Sequence, residues 1–228
     1  MNDDPSRPAP APPRSRPGPI YVTRPYLPDL AELLPMLEEI WESRILTNLG
    51  PFHQRFEREV ARFLDADHVS LVTNGMLALT TAIQASDLDG EVITTPYSFV
   101  ATTHALELAR LQPVFVDIRP DPLSLDEALI EGAIPPRTRA IVPVHYAGVA
   151  CEMDEIMRIA DKHRVPVVED NAHGLFGKYK GKFLGTFGAM ATQSFHETKN
   201  FTCGEGGALL VNDPQYADRA EIIREKGT

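Results

Sequence analysis

The sequence predicts an α/β fold in which a mostly parallel sheet is sandwiched by helices. Strand-like and helix-like segments alternate from His68 to His163, and the strand-like ones are nearly all apolar, as strands buried on both faces are. The polar runs Thr73-Asn74-Gly75-Met76 and Glu169-Asp170-Asn171-Ala172-His173 fall directly behind such strands. Ligands in open sheets of this kind sit beyond the carboxyl ends of the strands, so chemistry is expected in those runs.

Taken in order, Leu33, Leu34, Leu37, Ile40 and Trp41 fall at helical spacing within Leu30 to Phe63, which Asn48-Leu49-Gly50-Pro51 interrupts before Phe52 resumes it. His68 to Val72 reads as a strand and Met76 to Ala85 as a helix, followed by a strand from Glu91 to Thr95 and a helix from Val100 to Arg110. Pro113 to Asp117 is a strand, Leu125 to Ile130 a short helix and Ala140 to Val144 a strand. Cys151 to His163 is a helix with Asp154 and Glu155 early and Arg158, Lys162 and His163 late, as the macrodipole favours. Val165 to Val168 starts a strand that delivers Glu169 and Asp170 to its carboxyl end. Gly207 to Asn212 is the last strand, and Pro214 to Lys226 begins a helix that runs into the terminus.

Composition narrows the class. The 228 residues carry 22 Lys+Arg against 32 Asp+Glu, a formal charge of -10, which argues against a broad nucleic-acid footprint. Cys151 and Cys203 are too few and too far apart for a zinc cluster or a disulfide framework, which points to a reducing cytoplasm and no metal. No apolar run reaches membrane-spanning length, and Met1 to Gly18, rich in Pro, Arg and Ala, reads as a disordered tail ahead of one domain over 19–228.

Lys199, in Ser194-Phe195-His196-Glu197-Thr198-Lys199-Asn200 ahead of Gly204, Gly206 and Gly207, is the candidate Schiff-base lysine, because such an amine must be unprotonated and needs a desolvated setting. A strand-end acid followed later by a lysine beside glycines is what pyridoxal 5'-phosphate (PLP) requires. Each signal has an ordinary alternative. Gly75 and Met76 offer backbone N–H groups to a phosphate or simply form a strand-to-helix turn. Phe99 stacks on a flat ring or joins the core. Asp170 meets a cationic partner or caps a helix, His173 contacts a cofactor or is a satisfied core histidine, Ser194 binds phosphate or sits in a turn, and the glycines admit a ligand or only turn the chain.

Taken together, the Asn74-Gly75-Met76-Leu77, Pro96-Tyr97-Ser98-Phe99-Val100, Val142-Pro143-Val144-His145-Tyr146, Glu169-Asp170-Asn171-Ala172-His173-Gly174 and Ser194-to-Asn200 runs resemble the DegT/DnrJ/EryC1/StrS sugar aminotransferases, PLP enzymes of fold type I. The stretches around His145 to Asp154 and His196 to Asn200 are most similar to the branch acting on dTDP-4-amino-4,6-dideoxygalactose. The resemblance covers the chain from about Ile20. It implies that Lys199 carries the cofactor, Asp170 pairs with the pyridine nitrogen, Phe99 stacks on the ring, and Gly75, Met76 and Ser194 hold the phosphate, with His173 near the phenolic oxygen. Met76 stands where the family commonly has threonine, which removes one hydroxyl contact.

The resemblance further implies amino transfer from glutamate to a keto-deoxy sugar on a nucleotide, in polysaccharide or antigen biosynthesis, by a homodimer without nucleic-acid or membrane partners. It implies as well a smaller C-terminal domain beyond Thr228, so that the large domain is incomplete here. The alternatives are an inactive or non-catalytic PLP-binding fragment, a scaffold without cofactor, and a PLP-dependent sugar dehydratase. Lys199 speaks against the last, since dehydratases carry histidine there and His196 lies three positions early.

Overall fold

The rotation of strands and helices holds only as far as Asp170. The computed structural model describes residues 18, 19, 21–47 and 49–227. The expected tail, Met1 to Gly18, lies outside the described residues but for Gly18, and Asn48 of the interhelical break lies outside them too. Helices α1 (Leu30–Ser43) and α2 (Pro51–Leu64) lead into β1 (His68–Val72), α3 (Gly75–Ala85), β2 (Glu91–Thr94), α4 (Val100–Leu108), β3 (Gln112–Phe115), α5 (Glu127–Ile130), β4 (Thr138–Ile141), α6 (Met153–His163) and β5 (Val168–Asp170). Four strands then follow with no helix between them: β6 (Lys178–Tyr179), β7 (Lys182–Phe183), β8 (Met190–Ser194) and β9 (Gly207–Val211). Helix α7 (Ala217–Arg224) comes after one 3-10 turn.

Three expectations need correction. Strand β8 was not anticipated, because Thr192, Gln193 and Ser194 spoil its apolar pattern although all five of its residues are buried. Helix α4 stops at Leu108 rather than Arg110, since Arg110 takes the left-handed conformation at φ 60. Helix α7 ends at Arg224 instead of running on, because Lys226 and Gly227 adopt φ 69 and 79 and the Gly227 N–H returns to Ile222 O at 2.7 Å. Such a left-handed pair is a helix terminator.

The sheet runs β1-β9-β8-β5 and continues through the Ile141–Val167 and Val144–Asp170 bridges into β4-β2-β3. It is parallel throughout that second half, whereas β9 is antiparallel to both β1 and β8. A helix connection is what parallel neighbours need, and its absence between β8 and β9 leaves the antiparallel return. Strand β5 is therefore central. Helices cover both faces: Leu79, Ile83 and Leu106 of α3 and α4 pack on Val92, Val168, Met190 and Leu209, while Met153, Ile156 and Ile159 of α6 pack opposite on Ile93, Ile141 and Val167. Val60 and Leu64 of α2 extend that second layer over Ala191, Ala208 and Leu210. Truncating a fully buried side chain such as Ile156 to Ala costs about 2–5 kcal/mol.

A polar clasp fixes α7 to β1. Glu221 accepts from the Ser70 hydroxyl, from His68 Nε2 at 3.0 Å and from Arg224 Nε and Nη2 at 2.9 and 2.6 Å. Arg224 also reaches Glu57 at 3.3 Å, and Glu57 takes the Leu71 N–H at 2.9 Å. Burial alone would raise the Glu221 pKa, but the bonds from His68, Ser70 and Arg224 outweigh it and hold it at about 2. A carboxyl lowered on folding stabilises the fold above its unfolded pKa of about 4.3 and loses that contribution as pH falls towards 2. Glu221→Gln is expected to lower the melting temperature at pH 7, and the gap from the parent should close between pH 4.5 and pH 2; thermal melts across that range measure it.

Candidate active site

The carboxyl ends of β2, β5 and β8 meet the first turns of α3 and α4 at one end of the sheet. At the α3 end, Asn74 Oδ1 takes the Leu77 N–H at 2.9 Å and Asn74 O takes the Ala78 N–H at 3.1 Å. The Gly75 and Met76 N–H groups are left pointing out of the open end of the helix, where the dipole favours an anion. Ser194, the last residue of β8, lies against them: a Cβ on Gly75 would come within 3.0 Å of Ser194 Cβ. Gly207 at the start of β9 backs the same turn so tightly that a Cβ there would lie 2.3 Å from the Asn74 carbonyl carbon. Gly204, by contrast, sits in a turn at φ +91 with open space around it.

Asp170 ends β5 with 7% exposure. Its Oδ2 accepts from the Thr102 hydroxyl at 2.6 Å, which leaves Ser98 Oγ to donate in turn to Thr102 at 2.6 Å, and its Oδ1 takes the Ala172 N–H at 3.3 Å. No helix follows Asp170, since the next element is β6, so it caps none. Ser194 lies two positions beyond Thr192, which pairs with Asp170 across the β5–β8 ladder, so the carboxylate and the anion-favouring turn are neighbours.

Lys199 and His173 share the electrostatic field of Asp170. The half-buried Lys199 has its pKa lowered by burial, against the opposing pull of Asp170. Burial also lowers the His173 pKa, followed by the Lys199 charge, with Asp170 again opposing. His173 Nδ1 accepts the Ala147 N–H at 3.1 Å, so the neutral ring carries its proton on Nε2. Phe99 is not a core residue: it stands at the N-terminus of α4 with 72% exposure. Thr102, three residues later, is the Asp170 partner.

Several neighbours went unread in the sequence. Thr102 sits in an unremarkable helical run, and the Ala147 amide contact depends on a left-handed residue at φ 51. Tyr97 and Tyr146, at adjacent strand ends, bring their rings to 4.4 Å, and Tyr146 meets His173 edge-on at 5.9 Å.

A model of the DegT/DnrJ/EryC1/StrS aminotransferase family matches residues 29–228. The chain belongs to that family. This family member is 44% identical over 209 residues to the dTDP-4-amino-4,6-dideoxy-D-glucose transaminase of Shigella dysenteriae, covering 92% of this chain and 57% of the relative. That name carries D-glucose where the motif resemblance pointed to galactose. Among solved structures, DesI in the presence of its TDP-sugar product matches with a TM-score of 0.87 at 36% identity, over 92% of this chain and 53% of that one. NtdA from Bacillus subtilis with bound cofactor PMP matches with a TM-score of 0.79 at 31% identity, over 85% and 44%. The chain spans about half the length of the relatives it matches.

The residues of this family member fit pyridoxal phosphate. An open helix end beside a strand-end hydroxyl suits the phosphate, a hydrogen-bonded carboxylate suits the ring nitrogen, and a lysine with a lowered pKa suits the aldehyde. Gly207→Ala would drive a methyl into the Asn74–Gly75 backbone, a form of overpacking that costs about 1–3 kcal/mol. The expected outcome is a lower melting temperature together with at least tenfold weaker PLP binding. Gly204→Ala, strained only at its own backbone, should keep PLP affinity within twofold; fluorescence titration distinguishes the two.

Proposed function

We propose that this chain is part of a PLP-dependent aminotransferase that moves an amino group from glutamate to a keto-deoxy sugar carried on a nucleotide. The observation that carries the reading is the grouping of Lys199, Asp170 and His173 in one field beside the open end of α3. The sugar-nucleotide relatives and the PMP-bound neighbour support it. A homodimer and a cytoplasmic setting belong to the same proposal, the latter supported by two free cysteines. Among the described residues no helix is long and apolar enough to cross a membrane.

When bound, pyridoxal phosphate supplies the electrophilic carbonyl and the ring that delocalises negative charge. The chain supplies the hold and the proton traffic. Gly75 and Met76 would donate backbone N–H groups to the phosphate, and Ser194 would add its hydroxyl. Asp170, its Oδ2 fixed by Thr102, would hold the pyridine nitrogen in its protonated form. Phe99 would stack on the ring, and His173, its Nδ1 taken by Ala147, would donate from Nε2 to the phenolic oxygen. Lys199, whose pKa burial lowers, would hold the aldehyde end of the cofactor and would carry a proton to and from the substrate carbon.

The competing lysines are poor nucleophiles. Lys178, Lys180 and Lys182 are exposed, and the hydrogen bond that Lys180 donates to Asp154 raises the Lys180 pKa far above its ordinary value. Borohydride reduction of the PLP-loaded protein, followed by peptide mapping, is expected to place the pyridoxyl group on Lys199 and to find none in Lys199→Ala. Recovery on Lys178, Lys180 or Lys182 would overturn the assignment. Asp170→Asn keeps the Thr102 contact but loses the charge, so in the full-length protein PLP binding should survive within about tenfold while the half-reaction with glutamate slows at least 100-fold in stopped-flow absorbance.

A further inference from the structure

Glu169 precedes Asp170 in β5, and consecutive strand residues face opposite sides of a sheet. Asp170 faces α4, where it meets Thr102. Glu169 faces the other layer and is wholly buried. Its Oε2 accepts from His145 Nε2 and the Gly185 N–H, both at 2.9 Å, and its Oε1 accepts from the Phe187 and Gly188 N–H groups, both at 2.7 Å. His145 Nδ1 takes the Cys151 N–H at 3.2 Å, and the proton on Nε2 points at Glu169.

A buried charge is weak evidence for stability, because desolvation offsets the attraction it gains. Its value here is geometric. The four donors come from two places in the chain, the end of β4 at His145 and the loop that feeds β8 at Gly185 to Gly188, and the acceptor sits on β5 between them. From His145 the chain runs to Ala147, whose N–H holds His173; from Gly188 it runs to Ser194 and then Lys199. The backbone closes the same circuit, with the His145 N–H donating to Asp170 O at 3.1 Å and the Asp170 N–H to Pro143 O at 2.9 Å.

We propose that Glu169 is a positioning residue: by drawing the ends of β4 and β5 and the Gly185–Gly188 loop onto one carboxylate, it sets the separations among Asp170, His173, Ser194 and Lys199. The proposal rests on the PLP reading above. Glu169→Gln keeps the shape but turns an amide N–H group towards backbone N–H donors, which breaks up to two of the four bonds.

The test uses the parent, Glu169→Gln and a remote control, Glu221→Gln, each melted without cofactor and then titrated with PLP. In Glu169→Gln, PLP affinity is expected to fall at least tenfold and the pH midpoint of the visible band of the loaded protein to move by more than half a unit. Glu221→Gln loses melting temperature yet should keep affinity within twofold and leave the midpoint in place. Parent-like affinity and midpoint in Glu169→Gln, whatever its melting temperature, would overturn the proposal. Failure of the parent itself to form a reducible adduct at Lys199 would instead sink the PLP reading. Should Glu169→Gln not fold, His145→Leu, which removes one donor, is measured by the same two readouts with the same outcomes.

Discussion

A carboxylate taken out of water near the middle of a sheet must be supplied with donors, and β5 carries two such groups back to back. Glu169 is satisfied by four N–H groups from the layer beneath, and Asp170 by Thr102 and Ala172 on the other side. Meeting both demands fixes much else. It requires α4 to present a hydroxyl at Thr102, the β4 end to present His145, and the segment before β8 to turn its amides inward. His173, Ser194 and Lys199 lie on or beside the segments so fixed.

The lysine illustrates which force wins. Asp170 nearby favours the ammonium, yet burial overrides it and the Lys199 pKa moves down. The anion end relies instead on backbone, with Asn74 using its side chain to satisfy the third amide of α3 and leaving the first two outward. Gly207 matters there through its missing side chain alone.

Periodicity located the layers well because the strands from β2 to β5 are apolar and separated by helices, and the strand-end rule pointed to Asp170 and Gly75, while Lys199 was read from its run ahead of the glycines. It failed where chemistry overrode pattern. Strand β8 carries Thr192, Gln193 and Ser194 in a buried position, so its polar letters read as a turn. The reversal of β9 is a matter of connection rather than composition. Phe99 has the letter of a core residue and the exposure of a surface one, a distinction no single sequence contains. Thr102 and Glu169 act across the sheet, on partners 68 and up to 24 residues away.

The antiparallel return of β9 also bears on motion. Lys199 rides on a loop whose base is closed by the Phe195 N–H to Gly206 O bond at 2.8 Å, the Cys203 N–H to Phe195 O bond at 3.1 Å and the Thr202 hydroxyl to the same oxygen at 2.9 Å. Both stems of the loop are strands buried in the sheet. The backbone of the lysine is therefore tethered at short range, and the swing that its amine needs falls to side-chain torsions, which relax in picoseconds to nanoseconds. In the role proposed for it, Lys199 can cycle without waiting for slower rearrangements of the surrounding fold.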